Sequence, residues 1–163
     1  MAQRNNSRPA EEATPAFRSV AFMLSSLGYA VSRRFHQILE PLELEPGEFA
    51  LLRAVSASDG EPQNALAERL RISPSWMVAI VDQLERRRLL ERRPHAHDRR
   101  VRNLHLTAGG KKLLKRAEQQ ARRFDRQVTE PLTETELLQL LDLLDRVAAG
   151  LELAPGAHAA LRG

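Results

Sequence analysis

Arginines cluster around one short turn in the middle of the chain, where they could hold a polyanion. The run Asp98-Arg99-Arg100-Val101-Arg102 carries three guanidinium groups, which keep their charge at every physiological pH and match the geometry of phosphate. Residues 85–126 contain fifteen Lys/Arg and five Asp/Glu, whereas residues 129–163 contain two and six. This asymmetry indicates a basic face for a polyanion such as nucleic acid; the alternative is a solvated, charged helix.

Length and composition exclude several other classes of protein. The 163 residues suffice for one compact domain, and only 4% are aromatic, so we expect a helical core of Leu, Ala, Val and Ile. No cysteine is present for a disulfide or a thiolate metal site. No apolar run of about 18 residues predicts a membrane span, and the first residues lack the apolar segment of a secretory signal. We therefore expect a cytoplasmic protein. We do not expect an enzyme, because the sequence has no nucleophile motif and no Gly-rich phosphate loop.

The elements that must position these arginines run from Leu66 to Thr107. A short helix leads through a tight turn to Ser73, a good N-cap, and Pro74 suits the first position of the next helix. Two short strands then flank the turn at residues 94–98. Helix, tight turn, helix and basic hairpin is the order of a winged helix-turn-helix. The apolar stripe of the second helix recurs at helical spacing, at Met77, Ile80, Val81 and Leu84.

Longer helices are predicted on both sides of this unit. Apolar residues at spacings of three and four indicate one helix over residues 17–39, and a second helix begins at Pro46. Pro62 fits the first turn of the third helix, where its missing N–H costs nothing. After the hairpin, Thr107 caps a helix that runs to about residue 128.

The last predicted helix has a wide apolar surface. Thr133 and Glu136 form the capping-box sequence with which it begins. One neighbour in a small domain would not cover its apolar positions, so we expect them to meet a second chain; the alternative is a helix buried in its own core. These positions are Leu137, Leu138, Leu140, Leu141, Leu143, Leu144, Val147 and Leu151.

In their order and spacing, these motifs resemble the MarR family of bacterial winged helix-turn-helix transcriptional regulators. The similarity covers roughly Val20 to Gly150. A helical enzyme domain has no reason to place an Asp-Arg-Arg turn between two strands after such a pair of helices. The resemblance implies a mainly α fold with a small β-hairpin wing. The motifs are Leu66-Ala67-Glu68-Arg69-Leu70 with Ile72-Ser73, Val81-Asp82-Gln83-Leu84-Glu85-Arg86, Asp98-Arg99-Arg100, and Leu106-Thr107 with Gly110.

The resemblance also implies an organisation and partners. Residues 17–42 and 108–152 would supply dimerisation helices that interlock two chains as a homodimer, and residues 46–107 would form the winged helix DNA-binding domain. From their own composition, residues 1–16 and 153–163 are expected to be flexible tails. The dimer would bind double-stranded DNA at a pseudo-palindromic operator. Family members often repress neighbouring genes, and many release DNA when a small aromatic or phenolic anion enters a cleft. No cofactor is implied.

The second helix of the pair is predicted to enter the major groove, where bases are read through hydrogen bonds and methyl contacts. Ser73 and Ser75 could donate to phosphates or bases, and Val78 and Ala79 could touch thymine methyl groups. Trp76 either packs on the DNA backbone or closes the effector cleft; partial burial beside the core is the alternative. Further phosphate contacts are predicted at Gln63, Asn64 and Arg86.

The hairpin is predicted to reach the minor groove through Arg100. A long cation at the tip is favoured where that groove is narrow and its potential strongly negative. By resemblance, Asp98 would hold the wing arginine with a charge-assisted hydrogen bond, while Arg99 and Arg102 would contact phosphates. A solvated hairpin is the alternative.

The turn also contains a possible metal-binding triplet, since His95, His97 and Asp98 could serve as zinc ligands. Three ligands on a turn, without cysteine or a fourth partner, favour exposed turn residues over a metal site. No metal is therefore predicted.

A pocket for an effector anion would need a cation among apolar walls, which Arg53 or His36 could supply. An ordinary core is the alternative for each of these residues. The candidates are Met23, Leu27, His36, Phe49, Arg53 and Trp76.

Three departures from the family pattern bear on function. Arg71 and Arg88 stand where the family often has Gly; a left-handed residue other than Gly costs about 1 kcal/mol, so either that cost is tolerated or the turns differ. In the recognition helix, Trp76, Val78 and Ala79 replace the usual hydrogen-bonding residues. The sequence therefore keeps two other hypotheses open: an architectural DNA binder with little sequence preference, and a protein-interaction module that no longer binds DNA.

Overall fold

The computed structural model describes residues 19–95 and 100–153 as two compact units, residues 19–34 and 35–153. Both predicted tails fall almost entirely outside the described residues. The predicted fold class is confirmed, because the described residues form six α-helices and a two-stranded antiparallel hairpin. The elements are α1 Val20–Leu39, a 3₁₀ turn Glu40–Leu42, α2 Pro46–Ala57, α3 Gln63–Leu70, α4 Pro74–Arg86, β1 Leu90–Pro94, β2 Arg102–Leu106, α5 Ala108–Thr129 and α6 Glu134–Gly150.

Helices α3 and α4 form the predicted helix-turn-helix. The Ser73 hydroxyl caps α4 by accepting the Trp76 N–H at 3.2 Å, and Pro74 occupies the first turn. Arg71 lies between the helices with a left-handed backbone, φ 53°. The cost of that conformation is thus tolerated without Gly. All four predicted stripe residues of α4 are buried: Met77, Ile80, Val81 and Leu84.

The hairpin pairs Leu90 with Leu106 and Arg92 with Leu104. Both leucines of β2 are buried, so this side of the hairpin faces the core. The other edge of β2 is also occupied, since the Leu104 N–H donates to the Glu61 carbonyl at 3.1 Å. A β-bridge between residues 62 and 103 continues this pairing. The hairpin therefore lies within a short three-segment arrangement.

The prediction that Pro62 lies in the first turn of α3 was wrong by one residue. It precedes α3 as its N-cap residue, with ψ 137°, and forms the bridge to Asn103. Proline lacks an N–H and has a fixed φ, which suits this extended edge position as well as it suits a first helical turn. The consequence is that the start of α3 is tied directly to β2.

The beginning of α5 packs tightly against the residues that precede β1. Thr107 caps α5 by accepting the Gly110 N–H, and its own hydroxyl donates to the Arg88 carbonyl at 2.6 Å. A Cβ on Gly110 would lie 1.9 Å from the Leu89 carbonyl oxygen, so only glycine permits this approach. Arg88 itself is left-handed, with φ 55°, as the family pattern for a glycine at this position implies.

Helix α6 begins with the predicted capping box and then buries none of its residues within the described chain. The Thr133 hydroxyl accepts the Glu136 N–H, and the Glu136 carboxylate accepts the Thr133 N–H. The same carboxylate also accepts the Thr133 hydroxyl. The backbone N–H and, to a smaller extent, the hydroxyl of Thr133 lower the pKa of Glu136 from its ordinary value. Exposed apolar side chains follow at Leu138, Leu140, Leu141, Leu143, Leu144 and Val147.

The unit of residues 19–34 also exposes apolar side chains. Tyr29 is 72% exposed and Val20 68%, and Phe22, Met23 and Leu27 are about half exposed. Across residues 19–95 and 100–153, no helix combines the length and apolar character that a membrane crossing requires.

Candidate DNA interface

A groove of about 510 Å³ lies between the hairpin and the helix-turn-helix. Arg100 and Arg102 border it on the hairpin side, and Gln63 and Asn64 border it at the start of α3. Its apolar lining includes Val78 of α4. The structure thus brings five of the residues predicted to contact DNA to one concave surface.

The exposed side of α4 is mostly small or apolar. Val78 is 44% exposed, and Ser75 and Ala79 are exposed beside it. Ser75 lies 3.3 Å from the capping hydroxyl of Ser73, so these two hydroxyls form the polar end of the helix. Trp76 is partly buried against the core, which is the alternative weighed for it.

The hairpin presents Arg100 and Arg102 as exposed residues at the start of β2. Two predicted members of this set, Asp98 and Arg99, lie outside the described residues. Arg86 is exposed at the end of α4. Of the three residues considered as zinc ligands, only His95 belongs to the described residues, because His97 and Asp98 lie outside them.

Other arginines of this region direct their charge to the protein. Arg87 donates to both oxygens of the Glu48 carboxylate, at 2.9 and 2.8 Å, and to the Glu43 carbonyl. Glu48 is 2% exposed, so this pair joins α2 to the end of α4 in a buried site. Arg69 donates to Glu61, a hydrogen bond that raises the pKa of the arginine. Both guanidinium groups are thus bound to carboxylates of the protein.

Arg92 is the residue of this region that the sequence analysis missed. Its side chain is 18% exposed and forms ion pairs of 2.6 Å with Asp82 and with Glu85 of α4. Its Nε donates to Gln63 Oε1 at 2.8 Å, so the carbonyl oxygen of that amide, predicted to face a phosphate, is bound within the protein. The alternation of side chains along β1 could have predicted this role. Arg92 lies on the same inward side as buried Leu90, and an arginine on that side needs a carboxylate partner.

The candidate effector residues fall into both units. Met23 and Leu27 belong to residues 19–34, where both are exposed. In the other unit, the Arg53 guanidinium carbon lies 5.8 Å from the centre of the buried Phe49 ring. That ring contacts Phe35 edge-on at 5.5 Å, and Phe35 stacks on Phe124 at 6.3 Å. His36 lies 3.3 Å from a carboxylate oxygen of Glu45.

The helix-turn-helix, the adjoining arginine hairpin and the groove between them define a winged helix DNA-binding protein. Comparison with known proteins agrees with this class. A model of the MarR family matches residues 42–101. A transcriptional regulatory protein for the hcr operon of Thauera aromatica is 33% identical over 119 residues, which is 72% of each chain. The chain belongs to the MarR family. It is a DNA-binding transcriptional regulator, not an enzyme.

Two solved structures are similar over most of this chain. The transcriptional repressor CouR, bound to a 23-mer DNA duplex, is 31% identical with a TM-score of 0.73, covering 80% of this chain and 92% of that chain. The PcaV transcriptional regulator from Streptomyces coelicolor, in complex with its natural ligand, is 25% identical with a TM-score of 0.66, covering 80% and 95%.

Proposed function

We propose that the chain is a homodimeric repressor that binds a pseudo-palindromic operator and leaves it when a small aromatic or phenolic anion binds. The groove shared by α4 and the hairpin carries the DNA-binding part of the proposal. With α4 in the major groove and Arg100 in the adjacent minor groove, the phosphate backbone between them would lie in this concave surface. Because the ligand is chromosomal DNA, we place the protein in the cytoplasm.

Repression and release by a ligand rest on similarity and on one local arrangement. CouR is a repressor by its name, and PcaV has been solved with its natural ligand. In this chain, Arg53 sets a cation over the ring of Phe49, which in turn packs edge-on against Phe35. A cation beside aromatic walls is suited to an aromatic carboxylate.

Dimerisation is supported by the apolar side chains that α6 leaves exposed. Leu141 is 50% exposed and Leu143 53% exposed in the single chain. Because monomeric proteins rarely expose a contiguous apolar surface of this kind, a partner is expected to cover it. A second copy of the chain is the expected partner, because its own winged helix would bind the second half-site of a palindromic operator.

The DNA-binding role of the hairpin is tested by Arg100→Ala. A duplex selected by the wild-type protein from random sequence serves as the probe. We expect Arg100→Ala to weaken binding by about 1–3 kcal/mol in gel-shift titrations and to lower the salt slope by about one. The dimer should stay folded. Arg146→Ala, an exposed arginine outside the groove, is the control. Unchanged affinity of Arg100→Ala would reject this role.

An architectural binder is the second candidate, and the exposure of Val78 and Ala79 on α4 favours it. The affinity ratio between the selected duplex and random DNA separates the two. A specific regulator shows a ratio of at least about a thousand, whereas an architectural binder approaches one. A module that binds only protein would lack the steep salt slope, near −5, that about six phosphate contacts produce.

The effector is tested by titrating the protein–DNA complex with benzoate and 4-hydroxybenzoate, with cyclohexanecarboxylate as the non-aromatic control. We expect the aromatic acids to release DNA and Arg53→Gln to raise the required concentration about tenfold, because a charge-assisted hydrogen bond is lost. Release that is equal for all three acids, or unaltered by Arg53→Gln, would contradict a role of Arg53 in binding the effector.

A further inference from the structure

The guanidinium of Arg92 has each of its nitrogens bound to a different side chain. Nη2 lies 2.6 Å from Asp82 Oδ1, Nη1 2.6 Å from Glu85 Oε2, and Nε 2.8 Å from Gln63 Oε1. The backbone N–H of the same residue donates to Glu85 Oε1 at 2.9 Å. One residue of β1 is therefore joined to α4 by three contacts and to α3 by a fourth.

We propose that Arg92 is a positioning residue, which sets the hairpin and α4 at the angle and distance that allow both to contact one duplex. The proposal rests on the DNA-binding function of the chain. A two-stranded hairpin is marginally stable by itself, so its orientation depends on what fixes its base. The outer edge of β2 is fixed by the backbone hydrogen bond of Leu104 to Glu61, and Arg92 fixes the β1 side.

Only arginine fits this set of partners. Its planar fork offers donors in three directions, whereas a lysine ammonium is a single point of charge on a flexible stem. The partners are spread over nearly one turn of α4, from Asp82 to Glu85, and the start of α3, so no single lysine position reaches all of them. Glu85 accepts from both the side chain and the backbone of Arg92, which also fixes the strand along its own direction.

Arg92 also compensates negative charge beside the DNA surface. Asp82 is 45% exposed at its side chain and belongs to the same α4 side as Ser75 and Ala79. An uncompensated carboxylate there would repel phosphates through solvent. By pairing with Asp82 and Glu85, Arg92 neutralises these carboxylates and so reduces their repulsion of phosphates. The positioning role and the charge-compensating role of Arg92 can be separated by experiment, because replacing the two carboxylates with amides removes their charge.

The test compares Arg92→Lys with Arg93→Lys in the full chain. Arg93 is the next residue of β1, is exposed and pairs only on the surface with Glu91. Both changes keep the charge. Binding to the selected duplex is measured with hydroxyl-radical footprints of the minor groove and with methylation protection of major-groove guanines. We expect Arg92→Lys to weaken binding about tenfold or more and to lose minor-groove protection while keeping major-groove protection. Arg93→Lys should keep both.

A triple variant distinguishes the positioning role of Arg92 from a simple loss of folding. Asp82→Asn, Glu85→Gln and Arg92→Gln combined remove every charge of the network and with them the unpaired carboxylates. We expect this triple variant to recover part of the affinity lost in Arg92→Gln, but not the minor-groove footprint. Recovery of both would show that charge alone matters and would overturn the positioning role. So would a normal footprint in Arg92→Lys, or a loss of both footprints in proportion to its unfolded fraction.

Discussion

Helices α4 and α6 are both amphipathic and both begin at a hydroxyl N-cap, but they find different partners for their apolar sides. In α4 the cap is Ser73, and four apolar side chains are buried within the chain. In α6 the cap is Thr133, yet no residue is buried in the part of the chain that the structure describes. The same local sequence rules therefore form both helices, while the role of each helix depends on what covers its apolar stripe.

The surroundings of α4 explain why it can hold an orientation. Its end is joined to α2 through the buried pair of Arg87 and Glu48, and its middle is joined to β1 through Arg92. Helix α6 has instead a surface ion pair, Arg146 with Asp142, at 3.9 Å. Pairs of that kind contribute little. We therefore expect the α4 region to be sensitive to single charge removals and α6 to be sensitive to changes of its apolar surface.

Arg87→Ala is expected to have the largest effect on stability. It leaves the Glu48 carboxylate buried without its cation, which should lower the free energy of unfolding by about 3–5 kcal/mol. Urea unfolding followed by circular dichroism measures this. The matched control is Arg93→Ala, which breaks a surface pair and should cost less than about 1 kcal/mol. Equal effects of the two variants would contradict the assigned importance of the buried pair.

Leu141→Asp is the corresponding change in α6. It should leave the winged helix folded but prevent association, because each copy would place a carboxylate against apolar surface. The expected loss is about 2 kcal/mol or more per chain. Sedimentation equilibrium should show at least a tenfold weaker dimer, while the control Gln139→Asp should leave association nearly unchanged. A Leu141→Asp variant with the wild-type mass at every concentration would reject α6 as a dimer surface.

Arg71→Gly tests the backbone that precedes α4. The left-handed conformation costs about 1–2 kcal/mol for a residue with a Cβ. Glycine avoids this cost, but it loses about 0.5–1 kcal/mol of stability because its unfolded state is more flexible. The net expectation is a gain of about 0.5–1 kcal/mol in thermal or urea unfolding. Arg71→Ala removes the same side chain but keeps the Cβ, so it should give no gain. A gain in both variants would show that the side chain, not the backbone, is responsible.

The smallest expected effect concerns the start of α6. The pKa of Glu136 is lowered from 4.5 by hydrogen bonds from Thr133. The folded carboxylate thus holds its charge to lower pH than the unfolded one. Its stabilising effect is complete above pH 4.5 and is lost as the pH falls through the lower folded pKa. NMR titration should show that Thr133→Ala moves this pKa up towards 4.5, and that Thr135→Ala does not. A pKa unmoved by Thr133→Ala would contradict the hydrogen bond from the Thr133 hydroxyl to the Glu136 carboxylate.

Local structure could be predicted from the sequence. The hydroxyl caps at Ser73, Thr107 and Thr133, the buried stripe of α4 and the strand–turn–strand order were all readable, because caps and periodicity act within a few residues. The sequence also brought attention to Arg100 and Arg102, which the structure places on one groove. The left-handed backbones at Arg71 and Arg88 could be stated only as one of two alternatives.

Which of the charged side chains are directed inward depends on tertiary packing. Arg87 pairs with Glu48, 39 residues earlier, and Arg92 reaches Gln63, 29 residues earlier. Arginines at positions 86, 87, 92 and 93 look alike in the sequence. Packing brings chosen pairs together at distances that no sequence spacing fixes, because they belong to different elements whose relative placement is set by the shared core.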